Sequence, residues 1–498
     1  MGYLILASLA LLAYYIISSI RSWYRLRHFK GPFLASFSYL WMARTAMSGR
    51  AYQIHHDNFQ KYGTPLVRIG PDVLITDSAE MVRRMNAARS PYRRDGWYDA
   101  FRTNPYVCPM VSSTDEEYHS QLKTKTAAGY SGKEVPSMES DLASQVANFK
   151  QYIMTKYLST DAETKPLDFG KAVTFYTLDV ITRIGLGKEW GFLASDSDVD
   201  SFIGSYNKAS PFMMLCCDVP WARKIFTNNF MLELAGPKEH DKIGFGKMMG
   251  VTKKIVERRF RPDVEQQNDI LGSFMRHGLD KEQCDAEMPV IVLAGSDTTA
   301  GIMKTTMLYL MTTPLVYQRL QAEIDGAIKS GKVSSPITQA EARRLSYLQA
   351  VIYEGMRMQP PSQILLTKVT PPEGDTVLGY HIPGGTGIGW SLLSILQNKE
   401  VFGDDAYLFR PDRWLEVNAE KRQEMERHVE LVFGYGRFLC SGKLVALLHL
   451  QKVYFELLRE FDFQLINPKS PWKVSQYNGF IIRDMWVRIT ARQTGEKN

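Results

Sequence analysis

Cys440 lies in a glycine-rich stretch whose residue types could hold a metal. Residues 433–442 read FGYGRFLCSG, so one cysteine stands among three glycines and follows several aromatic residues. Glycine allows a backbone to adopt positive φ and to approach a flat partner closely. A thiolate presented by such a loop can ligate the iron of a porphyrin. The alternative is a turn that contains an ordinary buried cysteine, because free cysteine often packs as a small hydrophobic residue.

A second group of polar residues interrupts an apolar helix. Residues 281–311 are predicted to form one long helix, in which apolar residues surround the sequence AGSDTT at 294–299. A carboxylate at Asp297 and a hydroxyl at Thr298 conflict with the local pattern, and such conflicts are typical of functional sites. The alternative is structural, since threonine can bond to the carbonyl four residues earlier and bend a helix.

A third pattern combines two segments that are distant in sequence. Residues 343–358 are predicted to be helical, with Glu354 and Arg357 three residues apart on one face. An exposed pair of this kind contributes only about 0.2–0.5 kcal/mol. A later segment, 411–414, reads PDRW and supplies Arg413.

These three motifs, in this order, resemble those of the cytochrome P450 family of haem-thiolate monooxygenases. The family's haem-binding loop follows F-x-x-G-x-R-x-C-x-G, and four of its positions match here: Phe433, Gly436, Cys440 and Gly442. The arginine position differs, because Phe438 stands there and Arg437 lies one residue earlier. The segment E-x-x-R with a later P-x-R-W implies a buried triad of Glu354, Arg357 and Arg413.

The resemblance assigns a role to each polar group. Cys440 would be the axial ligand of haem b, and its thiolate would favour cleavage of the O–O bond. The long helix would cross the distal haem face, where Gly295 would leave room for oxygen. Asp297 and Thr298 would relay protons to that oxygen as a general acid and an alcohol.

The haem propionates would need basic partners, since unpaired buried charge is costly. A helix predicted at 116–126 carries His119 and Lys123 four residues apart, where the family has W-x-x-x-R. The other candidates are Lys368 and Arg437. A shift of one residue in a tight loop should turn the side chain of Arg437 away from the haem, toward the proximal surface and the reductase.

Composition predicts a single large globular unit. The 498 residues are 45% hydrophobic and contain no obvious repeat or low-complexity tract. The five cysteines form no C-x-x-C pair, which argues against a zinc site or a disulfide framework. The net charge is +7, but four of these charges follow the N-terminal apolar run, so nothing indicates a nucleic-acid partner.

The N-terminus is predicted to be a membrane anchor. Residues 3–20 carry no charge, and four basic residues follow: Arg21, Arg25, Arg27 and Lys30. About 18 apolar residues can just span a bilayer, and a basic cluster after them stays on the cytoplasmic side. We therefore expect an anchor at 1–20, a basic and proline-containing linker at 21–48 and a catalytic domain at 49–498. The alternative is a buried core helix.

The expected fold is mainly α with a smaller β region (α+β), with haem between the long distal helix and the proximal cysteine loop. Strands are predicted within 66–76, 379–383 and 386–390, all in one small sheet, and 90–109 is predicted to be a long loop. A helix at 443–460 should direct its N-terminus near the sulfur, where helix dipoles favour anions.

The resemblance implies a monooxygenase that inserts one oxygen atom from O2 into an apolar small molecule. Because no dinucleotide or flavin fingerprint is visible, electrons would come from an NADPH-cytochrome P450 reductase. The sequences at 90–93 and 130–133 resemble the filamentous-fungal branch that acts in secondary metabolism. Such members reside in the endoplasmic reticulum membrane as single-pass proteins that face the cytosol. The substrate pocket would be walled by Trp97, Phe101, Ile291, Ala294, 362–366 and 479–481.

Two other functions compete with this interpretation. One is a haem-thiolate isomerase or dehydratase that needs no oxygen, and the Asp297–Thr298 pair argues against it. The other is a haem-binding sensor without turnover, in which a proton relay would have no use.

Overall fold

Helices make up most of residues 2–492, and the strands of this range form four small sheets. The structure, a computed structural model, describes residues 2–492. The predicted α+β class, mainly helical with a smaller β region, is confirmed. The helices of this range are α1 Gly2–Arg25, α2 Leu40–Met47, α3 Ala51–Tyr62, α4 Ala79–Asn86, α5 Glu116–Tyr130, α6 Met138–Tyr152, α7 Phe169–Leu186, α8 Phe192–Ser195, α9 Phe202–Asp218, α10 Pro220–Phe226, α11 Asn229–Ala235, α12 Gly244–Arg259, α13 Ile270–Arg276, α14 Lys281–Thr312, α15 Pro314–Lys329, α16 Gln339–Ala342, α17 Ser346–Met358, α18 Leu392–Leu396, α19 Lys399–Phe402, α20 Arg413–Glu416, α21 Ala419–Val429 and α22 Lys443–Glu460.

The largest sheet has five strands in the order β1-β2-β8-β5-β3, and a three-stranded sheet has the order β4-β12-β9. Strand β2 pairs with β8 in parallel, and the other pairs of the five-stranded sheet are antiparallel. Two hairpins, β6-β7 and β10-β11, complete the set. The strands are β1 Leu66–Arg68, β2 Val73–Thr76, β3 Arg93–Arg94, β4 Leu167–Asp168, β5 Lys368–Val369, β6 Asp375–Val377, β7 Tyr380–Ile382, β8 Gly387–Trp390, β9 Phe461–Leu465, β10 Lys473–Gln476, β11 Phe480–Arg483 and β12 Trp486–Ala491.

Helix α14 is the longest element and lies at the centre of the core. A capping box closes its first turn, in which Asp280 and Gln283 bond to each other's backbone N–H. It packs along α7, whose side chains are nearly all buried. At Gly295, a Cβ atom would lie 2.6 Å from the Cδ1 of Ile181 on α7. The glycine is therefore needed for close packing of the two helices, and the expectation that it leaves room for oxygen stays a prediction.

Several predicted boundaries differ from the structure. The expected loop at 90–109 contains β3 and a 3-10 helix, Gly96–Phe101, which buries Trp97. Helix α17 begins at Ser346, not at 343, because the short helix α16 precedes it. Strand β8 joins the five-stranded sheet as expected, but β7 pairs only with β6 in a separate hairpin.

Helix α1 extends five residues beyond the predicted anchor. Among the described residues, Ile5–Arg25 is the one segment that is long and apolar enough to cross a membrane. Its C-terminal end is attached to the rest of the protein, since Arg25 donates a hydrogen bond to the Thr386 hydroxyl at 2.9 Å. The expected linker at 21–48 is itself folded, because α2 buries Met42 and Ala46.

Candidate haem-thiolate site

Backbone and side-chain hydrogen bonds hold the cysteine loop in shape. The Cys440 N–H donates to the Phe433 carbonyl at 2.6 Å, which closes the loop into a tight turn. Gly436 has φ +57°, and a Cβ there would collide with the Asn86 carbonyl oxygen, so this position requires glycine. Lys123 on α5 donates from Nζ to the carbonyls of Arg437 and Leu439 at 2.7 and 2.8 Å.

The Cys440 side chain is accessible at the start of α22. Helix α22 begins at Lys443, as predicted. Nearby protein atoms desolvate the sulfur and raise the pKa of the Cys440 thiol, whereas the Gly442 N–H, the charge of Lys123 and the Lys443 N–H oppose this shift. A bound metal ion deprotonates a coordinating thiol outright. The loop therefore supplies donors that suit a thiolate ligand.

The middle of α14 has an accessible stretch, although most of this helix is buried. Ala294 is exposed and Thr298 is half-buried, and the Thr298 hydroxyl donates to the Ala294 carbonyl at 2.9 Å. One turn later, the Tyr454 hydroxyl of α22 donates to the Ile302 carbonyl at 3.2 Å. The two helices are therefore in contact at Tyr454 and Ile302. Toward the N-terminus from this contact, α14 carries the accessible residue Thr298, and the accessible residue Cys440 precedes α22.

Asp297 borders a cavity of about 350 Å³ between α7, α9, α14 and β11. Burial raises the pKa of Asp297 to about 6, although the charge of Lys304 opposes the shift. Burial lowers the pKa of Lys304 to about 8, and its Nζ donates to the Thr174 hydroxyl at 2.7 Å. Both groups can therefore change protonation state near neutral pH.

The Glu354 triad forms as predicted and is buried. Arg357 donates from Nε and Nη2 to the two carboxylate oxygens of Glu354, each at 2.8 Å, and Arg413 donates from Nε at 3.0 Å. Arg357 also donates to the carbonyl oxygens of Leu396 and Leu408, each at 2.9 Å. The triad therefore fixes the segment that leads from β8 to α20.

Phe438 is surrounded by cationic side chains. Its ring centroid lies 3.3 Å from the Nζ of Lys368, 4.7 Å from the Cζ of Arg94 and 4.9 Å from the Cζ of Arg437. The ring of His119 lies 5.1 Å away. Burial and the nearby cations, Arg94 first, lower the pKa of His119 to about 3, so its imidazole is neutral. His119 can donate a hydrogen bond but adds no charge.

Lys368 is the clearest sign of a missing anionic partner. The residue is fully buried, and its Nζ has no hydrogen-bond partner among residues 2–492. Burial, followed by the charge of Arg94, lowers the pKa of Lys368 well below its ordinary value. Buried charges in proteins are normally paired. A carboxylate brought by a ligand would satisfy this group.

The side chain of Arg437 contacts the first residue of α5 and the segment that precedes β3, and its predicted place at the proximal surface stays a prediction. Its guanidinium pairs with Glu116 at 2.5 Å and donates to the Tyr92 carbonyl at 2.6 Å. The loop directs the side chain onto the N-terminus of α5 because an acidic partner and a free carbonyl lie there. Its charge is thus already partly balanced within the protein.

The residues present fit haem b. A porphyrin with two propionates requires an axial donor and nearby cations, and the chain provides Cys440 and the cluster around Phe438. Sequence reasoning missed Arg94, which donates to the carbonyls of Met110 and Ser113 at 2.9 and 2.8 Å. Nothing in the sequence distinguishes it from its exposed neighbour Arg93. Lys304 was also missed, since a lysine is almost never fully buried unless it is paired.

Comparisons with known proteins agree with this geometry. The family model "Cytochrome P450" matches residues 29–485. Cytochrome P450 monooxygenase aba1 of Botryotinia fuckeliana is 43% identical over 95% of this chain and 93% of its own. ABA1 of Pyricularia oryzae is 43% identical over 99% and 96%, and abl1 of Leptosphaeria maculans is 39% identical over 93% and 83%.

A match over nearly the whole chain, together with a cysteine loop, a buried Glu-Arg-Arg triad and a polar pair in the central helix, leads to one conclusion: the chain belongs to the cytochrome P450 family.

Proposed function

We propose that this cytochrome P450 monooxygenase holds haem b through Cys440 and inserts one oxygen atom from O2 into a small organic substrate. The observation that carries the proposal is the accessible Cys440 thiol and, on the central helix, the accessible Thr298. When bound, haem supplies oxygen binding and O–O cleavage, which a thiolate ligand favours.

The chain's own part is to hold the ligand and exclude water on the sulfur side. Phe433 is buried, and its ring would limit access of solvent to the sulfur from the side of the loop. The N–H groups of Gly442 and Lys443 favour the thiolate form of Cys440. Lys123 fixes the loop through two carbonyls, so the sulfur keeps one orientation.

Proton supply is assigned to α14. The Asp297 carboxyl, with a pKa of about 6, can hold a proton near neutral pH and release it. The Thr298 hydroxyl is accessible one residue later and can pass a proton onward. Lys304 borders the same cavity as Asp297 and can restore its proton.

Lys368 and Arg94 are the proposed partners of the propionates. Lys368 has no other partner among the described residues, and the Nε of Arg94 is also unpaired there. Arg437 has a smaller part, because Glu116 already balances its charge. His119 contributes a neutral hydrogen bond.

Electron supply and location follow from the family and from α1. NADPH would deliver electrons through a cytochrome P450 reductase at the proximal face. The apolar helix Ile5–Arg25 would anchor the protein in the endoplasmic reticulum membrane, with the catalytic domain facing the cytosol. Exposed apolar residues near α1 and on α9 and α11 would add membrane contact: Phe33, Leu34, Phe212, Phe230 and Leu234. The fungal relatives favour a role in secondary metabolism.

The variant Thr298→Ala tests the proton relay. Haem content and substrate binding should stay normal, but a severalfold larger share of the NADPH consumed should produce peroxide instead of product. Thr299→Ala is the matched control, because Thr299 is buried and has no part in the relay. If both variants kept wild-type coupling of NADPH to product, Thr298 would be only a helix-packing residue.

A further inference from the structure

Two cationic residues lie directly opposite each other on neighbouring strands. Arg94 on β3 and Lys368 on β5 are Cα partners in an antiparallel pair. Like charges that face each other across two strands destabilise a sheet. The repulsion is screened poorly here, because Lys368 is fully buried and Arg94 is half-buried. Other groups in the protein must therefore offset it.

Carboxylates do not supply this compensation. The Nζ of Lys368 has no hydrogen-bond partner among residues 2–492. The guanidinium of Arg94 donates to backbone carbonyls, which carry no net charge. Glu116 is a carboxylate whose charge acts on both residues, but it is already paired with Arg437 at 2.5 Å.

Two aromatic rings flank the cations instead. The Nζ of Lys368 lies 3.3 Å from the ring centroid of Phe438 and 5.0 Å from that of Tyr98. The Cζ of Arg94 lies 4.7 Å from the Phe438 centroid and 4.4 Å from the Tyr98 centroid. The face of an aromatic ring attracts a cation, and the attraction is stronger where water is excluded. Both cations thus share the same two rings.

The rings act on the charged form of the lysine. Burial, followed by the charge of Arg94, lowers the pKa of Lys368. A ring face attracts the ammonium group but not the neutral amine, so the contact with Phe438 opposes this loss of charge.

Both rings are held in place by hydrogen bonds. The Tyr98 hydroxyl donates to the Leu366 carbonyl at 2.9 Å. Lys123 donates to the backbone carbonyls of the residues on either side of Phe438, at 2.7 and 2.8 Å. The place of the Phe438 ring is therefore fixed together with the loop that carries Cys440.

We propose that Phe438 is a positioning residue, whose ring holds Lys368 and Arg94 side by side for the haem propionates. It does so at the loop position where the family has an arginine. This inference rests on the proposed function and deepens it. An arginine at 438 would lie among three cations, Lys368, Arg94 and Arg437, and would repel them.

The first test measures how fast the haem-loaded, full-length protein transfers haem to an excess of apomyoglobin. Phe438→Leu should release haem about twofold to thirtyfold faster than the wild type, as expected for the loss of a buried cation–π contact. The same change should have a clearly smaller effect in a Lys368→Leu background, because the ring acts through the lysine. Tyr435→Leu is the matched control: it removes a ring from the same loop and should release haem at the wild-type rate, since this ring is 41% exposed and flanks neither cation.

Two results of this cycle would overturn the proposal. One is a wild-type rate of haem release in Phe438→Leu. The other is an equal acceleration by Phe438→Leu with and without Lys368, which would mean that the ring only fills space.

The second test changes the chemistry of the side chain at 438. Phe438→Tyr keeps the ring face and should retain haem almost as well as the wild type. Phe438→Arg restores the residue type of the family but should release haem faster than the wild type, because it replaces the ring with a further cation. Haem retention by Phe438→Arg equal to or better than that of the wild type would contradict the proposal, as would release from Phe438→Tyr as fast as from Phe438→Leu.

Failure of the proposed function would look different. In that case the reduced, CO-bound wild type would lack the red-shifted Soret band of a thiolate-ligated haem, whatever the rates of haem release from the variants.

Discussion

Neutralising Glu354 removes the shared counter-charge of two buried arginines without changing the shape of the side chain. The carboxylate is fully buried and accepts hydrogen bonds from the side chains of Arg357, Arg413 and Trp414 and from the Arg410 N–H. In Glu354→Gln, the buried guanidinium groups of Arg357 and Arg413 would lose their negatively charged partner. One carboxylate oxygen, an acceptor, would be replaced by an amide NH2 group, a donor that faces these guanidinium groups.

The expected cost follows from burial. Removing one partner from a buried ion pair typically destabilises a protein by about 3–5 kcal/mol. The total free energy of unfolding of a protein is about 5–15 kcal/mol, so the loss would be a large fraction of it. Burial alone would raise the pKa of Glu354, but the charges of Arg357 and Arg413 outweigh it and lower the pKa. The ionised carboxylate therefore stabilises the fold at pH values above about 4.3, the pKa of glutamate in an unfolded chain. As pH falls below that value, the difference in free energy of unfolding between wild type and Glu354→Gln should narrow.

Urea unfolding at pH 7, followed by tryptophan fluorescence and by haem release, measures the effect. Glu416→Gln is the matched control, since its pair with Arg410 is exposed on both sides, at 58% and 38%. An exposed pair contributes about 0–1 kcal/mol, so the control should unfold close to the wild-type midpoint. A loss in Glu354→Gln below about 1 kcal/mol, or equal to that of the control, would refute the reasoning.

Three further predictions follow from the site and the anchor. Lys368→Met should raise the melting temperature of the haem-free protein and lower haem affinity, whereas Arg93→Met on the neighbouring strand should change neither. A melting temperature of Lys368→Met below that of the wild type would show that Lys368 has a partner within the protein. Because burial raises the pKa of Asp297 to about 6, its proton is lost as pH rises through that value, so coupling of NADPH to product should fall there. Asp297→Asn should abolish this dependence, and an unchanged pH profile would remove Asp297 from the relay. A chain that begins at Gly31 should bind haem but be released from membranes by carbonate, apart from weak contact through Phe33 and Phe212; carbonate-resistant attachment would contradict a single anchor.

The elements that carry the site could be predicted closely because their patterns are strong. The helix predicted at 281–311 is α14, which ends one residue later, and the helix at 443–460 has the same bounds as α22. The burial of Glu354 could be predicted only through the resemblance, since a lone i,i+3 pair is usually exposed. The local spacing of apolar and polar residues therefore predicts individual helices, whereas motifs that combine distant segments predict which of these segments are in contact.

The side-chain environment of the loop could not be predicted. The direction of the Arg437 side chain depends on Glu116, which is distant in sequence although its carboxylate lies 2.5 Å from the Arg437 guanidinium. The role of Gly295 is likewise set by Ile181 on another helix.

The spectrum of the reduced, CO-bound protein tests the central claim most directly, because it reports the ligand opposite CO. The wild type should show the red-shifted Soret band of a thiolate-ligated haem. Cys440→Ser should lose that band and all turnover, whereas the control Cys108→Ser should keep both, since Cys108 lies on a separate loop and contacts Ser112. If Cys440→Ser retained the red-shifted band, Cys440 would not be the axial ligand, and the assignment of the haem-thiolate site to this loop would be wrong.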